Sequence, residues 1–121
     1  MRKLLLLVFA FALVSSCYRD NREDLYKNFD QQNCETDSVS YTSDIDLICI
    51  TSCAVSGCHL GPNPQSGLDL SNYSDVEAIA KDGRLLNRVN GNGPIMPPSG
   101  PLPKCDIDKL EQWVLDGAPN N

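Results

Sequence analysis

Histidine is nearly absent from this chain: His59 is the only one in 121 residues, and it has no neighbours that make a hydrolase or transferase constellation. Paired acids do occur. Asp44 with Asp46 and Asp106 with Asp108 stand at predicted helix starts, where carboxylates favour the helix dipole rather than catalysis. Basic residues are scarce too, ten Lys and Arg against sixteen Asp and Glu, for a net charge of −6. That balance excludes nucleic acid as a partner, since its recognition demands a basic patch. The acids are spread rather than bunched, as on a solvated surface that keeps a protein soluble. Beyond the opening residues there is no second long hydrophobic run and no internal repeat.

The opening, "MRKLLLLVFAFALVSSC", belongs to transport rather than fold. Arg2 and Lys3 form a basic start, and Leu4 to Val14 an apolar run too short to cross a bilayer as a helix but suited to a signal-peptide core. Before Cys17 stands "VSS", and "VSSC" resembles the lipobox of bacterial lipoproteins. The resemblance implies cleavage after Ser16 and a lipid on the Cys17 thiol. Residues 1–16 are then a lipoprotein signal peptide, and the chain is exported and lipid-anchored to a bacterial membrane, in the periplasm or at the cell surface. Simple secretion with an ordinary Cys17 is the other reading. Either way the cysteines meet an oxidising compartment. Loss of Arg2 and Lys3 takes the net charge from −6 to −8. About 105 residues remain, enough for one small domain that buries little core and needs a staple.

Residues 17–40 read as a lipidated cysteine and a polar tether, in which Leu25, Tyr26 and Phe29 offer at most a short docking helix. The domain proper is expected over 41–119. Ile45, Ile48 and Cys49 recur at helical spacing, with Ser43 as N-cap and Asp44 and Asp46 in the first turn. A helix of about ten residues then delivers Cys53 at its C-terminal end. "GPNPQSG" is loop. Ser74 and Glu77 have capping-box spacing, which predicts a helix from about Asp75 to Lys81 that Gly83 ends, and "RLLNRV" adds one or two turns. Gly91 to Pro103 is stiffened by proline and loosened by glycine into an extended loop, with Ile95 and Met96 near its middle. A last helix has Asp106 as N-cap, Ile107, Leu110, Trp113 and Val114 as its apolar stripe, and Gly117 with Pro119 as its stop.

The segment "SCAVSGCH" carries the chemistry. Haem attachment needs two thiols for the two vinyl groups and a histidine directly after the second, placed to turn its imidazole to the iron. Cys53, Cys58 and His59 supply that set, with four residues rather than the usual two between the cysteines. Gly57 suits the resulting bulge. With one histidine, bis-histidine ligation is excluded within a monomer, and a histidine taken by iron is no general base. Once the leader is gone Met96 is the sole methionine, held in a proline-braced loop that can press its thioether on a metal.

These residues, within "YTSDI...SCAVSGCH...GLDLSNY...GRLLNRV...IMPPSGPLPKCDIDKLEQWVLDGAP" (Tyr41 to Pro119), resemble the class I c-type cytochromes and, within them, the small cytochrome c domains of bacterial lipoproteins. The resemblance implies an all-α fold in which the first and last helices cross near Trp113. It also implies one covalently attached haem c on Cys53 and Cys58, His59 as proximal and Met96 as distal iron ligand, and one-electron transfer between redox partner proteins rather than enzymatic turnover. Of the remaining cysteines, Cys49 falls on the first helix's apolar stripe where the resembling domains carry an aliphatic residue. Cys34 and Cys105 flank the domain as a candidate disulfide. Other readings stay open: a cofactor-free, disulfide-stapled lipoprotein interaction module, a five-coordinate haem sensor or weak peroxidase should Met96 not ligate, and a zinc site from Cys49, Cys53, Cys58 and His59. The oligomeric state is not legible in the sequence.

Overall fold

Ser40 opens the helical structure by a reciprocal cap. Its Oγ accepts the Ser43 N–H at 3.2 Å, and Asp44 Oδ2 accepts the Ser40 N–H at 3.1 Å, which satisfies two donors that a helix start leaves free. A π-helical turn over Tyr41–Ile45 then runs directly into α1, Asp46–Ser52. The computed structural model describes residues 34–121; the signal peptide, Cys17 and the tether residues Leu25, Tyr26 and Phe29 lie outside the described residues. Helical structure thus starts before Ser43, the expected cap. The cause is Tyr41, whose buried ring packs against Trp113 with centroids 5.7 Å apart and meets Tyr73 edge-on at 4.9 Å.

Helix α2, Tyr73–Lys81, is capped by Asn72, whose Oδ1 accepts the Asp75 N–H at 3.0 Å. Ser74, the expected cap, instead donates to the same Asn72 oxygen. Gly83, at φ 82°, makes the left-handed turn that separates α2 from α3, Arg84–Val89. An irregular stretch leads on to α4, which spans Lys104–Leu115. Its cap position falls to Pro103 rather than Asp106, which stands in the first turn, where its charge still favours the dipole. No strand forms among the described residues; they are all-α, with one isolated bridge between Ser56 and Leu60.

The core collects one face from each helix. Ile45, Cys49, Val76, Leu110 and Trp113 are its most deeply buried large side chains, and Ile107 and Val114 pack at its margin as the α4 stripe predicts. Residues 118–121 close over this core by hydrogen bonding. Trp113 Nε1–H donates to Pro119 O at 2.9 Å, the Ala118 N–H to Trp113 O at 2.9 Å, and the Tyr73 hydroxyl to Ala118 O at 2.8 Å. The Tyr41 N–H donates to Asn121 Oδ1 at 2.8 Å and the Thr42 N–H to Asn121 O at 3.0 Å. A half-buried ion pair, Lys109 Nζ to Asp44 Oδ1 at 2.6 Å, ties α4 to the π-helical turn. Cys34 and Cys105 form a disulfide across a sequence separation of 71, with Cα atoms 5.5 Å apart.

Two of these ties have measurable consequences. Opening the long loop by replacing Cys34 and Cys105 together with Ala lowers stability in denaturant titration by about 2–4 kcal/mol; an unchanged midpoint contradicts the link. The hydrogen bond from Lys109 holds the Asp44 carboxyl below its ordinary value, helped by the Ser40 N–H and opposed by burial. The pair's contribution is therefore present above the ordinary Asp pKa of about 3.9 and is lost as pH falls through the lower folded value. Lys109→Met costs about 0.5–1 kcal/mol at pH 7, a deficit that closes in strong acid. A deficit of the same size at pH 2 and pH 7 contradicts the assignment.

Candidate functional site

Helix α1 carries Cys49 and stops at its C-cap, Cys53, one turn further on. The Cys53 and Ala54 N–H groups both donate to Cys49 O, at 2.9 and 2.7 Å, so the last turn closes with a wider, π-type bond. Ala54 is buried and pins the chain to the core. Val55, Ser56 and Gly57 turn outward, closed by the Cys58 N–H donating to Val55 O at 3.0 Å, with Gly57 at φ 82°. Four residues between the cysteines thus fold into a compact turn. The His59 N–H returns to Cys53 O at 3.3 Å, so the cysteine that begins the motif and the histidine that ends it share a backbone hydrogen bond.

The loop after His59 folds back over it. The Gln65 N–H donates to Cys58 O at 2.8 Å and the Leu70 N–H to His59 O at 3.0 Å, while Leu70 is buried. His59 Nδ1 lies 3.2 Å from Leu68 O. A carbonyl only accepts, so this contact places the proton on Nδ1 and leaves the Nε2 lone pair of the neutral ring unused. An imidazole held in this way is prepared to be a metal ligand, because the second nitrogen fixes tautomer and ring orientation.

The three free thiols divide by environment. Cys49 is buried in the core, as its place on the apolar stripe implies, and Cys53 and Cys58 are half-buried at the surface. A hydrogen bond to Cys53, together with burial, pushes the Cys49 thiol far up. The same contact draws the Cys53 thiol down against its own burial. Among the described residues, no three His, Cys, Asp or Glu side chains are grouped so as to hold a metal ion, the zinc combination included.

Met96 sits on the segment between α3 and α4. That segment is fastened to α3 by the Met96 N–H on Arg88 O at 3.1 Å and by Arg88 Nη1 on Pro94 O at 3.3 Å. Its side chain is 38 % exposed and Ile95 is similarly open, so neither fills the protein core. The end of α1 with the turn that follows it, and the segment after Met96, oppose each other. Thr51, Ser52 and Val55 form one wall, and Pro97 and Ser99 to Pro103 the other wall, of an open groove of about 340 Å³. The Leu68 carbonyl that orients His59 is the feature that sequence reasoning missed. A backbone oxygen carries no residue-type signal, and only the Leu68 and Leu70 alternation hints that this loop packs inward.

No protein-family model matches the chain, and neither a curated protein nor a solved structure matches it. Among the described residues, no helix is long and apolar enough to cross a membrane.

The thiol environments make a direct test. In the folded chain with free thiols, iodoacetamide modifies Cys53 and Cys58 at least about tenfold faster than Cys49, because the reacting species is an accessible thiolate. Equal rates at all three, read by peptide mass mapping, contradict the burial of Cys49.

Proposed function

We propose that the protein is a monohaem c-type cytochrome that carries one electron between redox partner proteins, exported and held to a bacterial membrane by a lipid on Cys17. The fold within the all-α class is then that of the small class I cytochromes. In this reading Cys53 and Cys58 hold haem c by thioethers, His59 is the proximal ligand and Met96 the distal one. The observation that carries it is the His59 ring, with Nδ1 on the Leu68 carbonyl and Nε2 left for iron.

The donor set fits the group. Two half-buried thiols and an oriented imidazole lie on one short turn, and Val55, Leu60, Ile95 and Met96 leave apolar surface exposed beside that turn or on the Met96 segment. Such surface suits a large apolar macrocycle better than water. The haem iron supplies the one-electron couple. The chain's residues attach it, fix the imidazole and offer a soft thioether, which stabilises the ferrous state and raises the potential relative to bis-histidine ligation. Were His59 and Met96 both to hold the iron, no place would be left on it for substrate, and the chemistry the group would supply is electron transfer rather than turnover.

The first test is the reduced-minus-oxidised visible spectrum of protein made in a host with c-type maturation machinery. Haem bands that stay with the polypeptide through acid-acetone extraction are expected, and loss of covalent colour in the Cys53→Ala/Cys58→Ala variant assigns them. Carbon monoxide is expected to leave the reduced protein unaltered and to bind the Met96→Ala variant. Binding to the unaltered protein makes the iron five-coordinate and the protein a sensor. A colourless product removes the cytochrome reading and leaves the lipoprotein interaction module stapled by Cys34 and Cys105.

A further inference from the structure

Helix α1 leaves one of its faces unused. Ile48 and Cys49 enter the core, whereas Leu47 and Ile50, three residues apart and therefore neighbours on the helix, are 55 % and 45 % exposed. Thr51 adds no free donor to that face, because its hydroxyl donates to Leu47 O at 2.7 Å within the helix. Hydrocarbon is what the face offers. Leu47 and Ile50 are additional to Val55, Leu60, Ile95 and Met96, the exposed side chains on which the haem reading draws.

The disulfide decides which part of the chain arrives beside this face. Lys109 of α4 pairs with Asp44 just before α1, and Pro103 just before α4 lines the same groove as Thr51 and Ser52 at the other end of α1. The two helices therefore run past each other, with Cys105 between those two points and Cys34 joined to it. Residues 17–33 lead into Cys34, and Leu25, Tyr26 and Phe29 are their one cluster of large apolar side chains. Leu25 and Phe29 have the spacing of four that shares one face of a helical turn. Phe29 is five residues from Cys34, a span of at most about 18 Å, whereas the chain from Asp44 to Thr51 rises only about 10 Å as helix. Leu47 and Ile50 are therefore within reach.

We propose that Leu25, Tyr26 and Phe29 dock on Leu47 and Ile50, so that the chain's own segment covers the outer face of α1. Size argues for this occupant over a separate protein. A stable partner interface needs about 1,000 Å² or more, far beyond two side chains, whereas a segment already tied to the domain docks at an effective concentration of order millimolar and needs much less contact. The consequence is a change of reach. Undocked, the stretch from Cys17 to Cys34 spans at most about 60 Å; docked, the stretch from Cys17 to Leu25 spans at most about 29 Å. With a lipid on Cys17, which rests on the reading proposed above, docking holds the domain close to the membrane with α1 toward the anchor. The docking itself needs neither lipid nor haem.

The test uses the full chain, secreted with Cys17→Ser so that no lipid is added and with the Cys34–Cys105 disulfide intact. Trypsin cleavage after Lys27, inside the segment, is followed by mass. It is expected to be at least about tenfold slower than in the Leu47→Glu/Ile50→Glu variant, because only the undocked segment is cut. Phe29→Ser, made outside residues 34–121, is expected to release the same cleavage. Leu115→Glu, at an apolar side chain 79 % exposed on α4, is expected to leave it slow. Nuclear Overhauser contacts from the Phe29 ring to the Leu47 and Ile50 methyl groups are expected in the unaltered segment. Cleavage of the unaltered segment as fast as in the variants overturns the proposal and leaves the face to a separate partner or a membrane. Protection lost on dilution from about 100 to 1 μM overturns it by giving the face to a second copy. Protection that Leu115→Glu removes overturns it too, by seating the segment elsewhere. The visible spectrum of the same sample reports on haem separately.

Discussion

Trp113 is completely buried, and the fold is organised around satisfying it. An indole offers a large apolar surface and one N–H, and a buried N–H without an acceptor is expensive. Here the ring lies against Tyr41 and the N–H reaches Pro119 O, so one side chain demands both the π-helical turn on one side and residues 118–121 on the other. Tyr41 and Tyr73 complete the layer. The Tyr41 hydroxyl is buried without a hydrogen-bond partner, and burial, aided by nearby Cys49 and Asp46, pushes its pKa up to about 12. Tyr41 is held for its ring rather than for its hydroxyl.

That closure has a consequence for the site. With α4 clamped to the first helical segment by Trp113, the Lys109 and Asp44 pair and the Cys34–Cys105 disulfide, α1 has a fixed exit direction, and Cys53 stands at that exit. The motif then needs only local hydrogen bonds to set its geometry: a turn closed at Val55, a return from His59 to Cys53, and a loop drawn back by buried Leu70. The rigid elements thus stop where the candidate site begins. Beyond Cys53 the chain is backbone-bonded loop, in which thiols and imidazole stay half-exposed and accessible.

Helices and stops were largely legible in the sequence, because they depend on local chemistry. Gly83 and Gly117 end helices at φ 82° and 91°, a backbone state that glycine adopts without strain, and the Ile107, Leu110, Trp113 and Val114 stripe faces the core as its spacing requires. Helix starts were less legible. Ser40, Asn72 and Pro103 hold the cap positions where Ser43, Ser74 and Asp106 were expected, since several polar residues in a row satisfy the same pattern and packing of Tyr41 and Tyr73 selects among them.

Residue identity alone determined which groups are chemically available: two surface thiols and one imidazole in one short run, one methionine in a proline-braced loop, an acid excess, and a cysteine whose helical phase turns it inward. Only the tertiary structure decided how they are used together. The Leu68 carbonyl meets His59 Nδ1 and two stretches far apart in the chain share one groove, whereas the Cys34–Cys105 disulfide joins the pair that its flanking positions had already named. The first two share a reason. Backbone carbonyls are identical in every residue, and the proximity of distant segments is set by which large side chains share the core, here Tyr41, Leu110 and Trp113, rather than by anything written at the positions brought together.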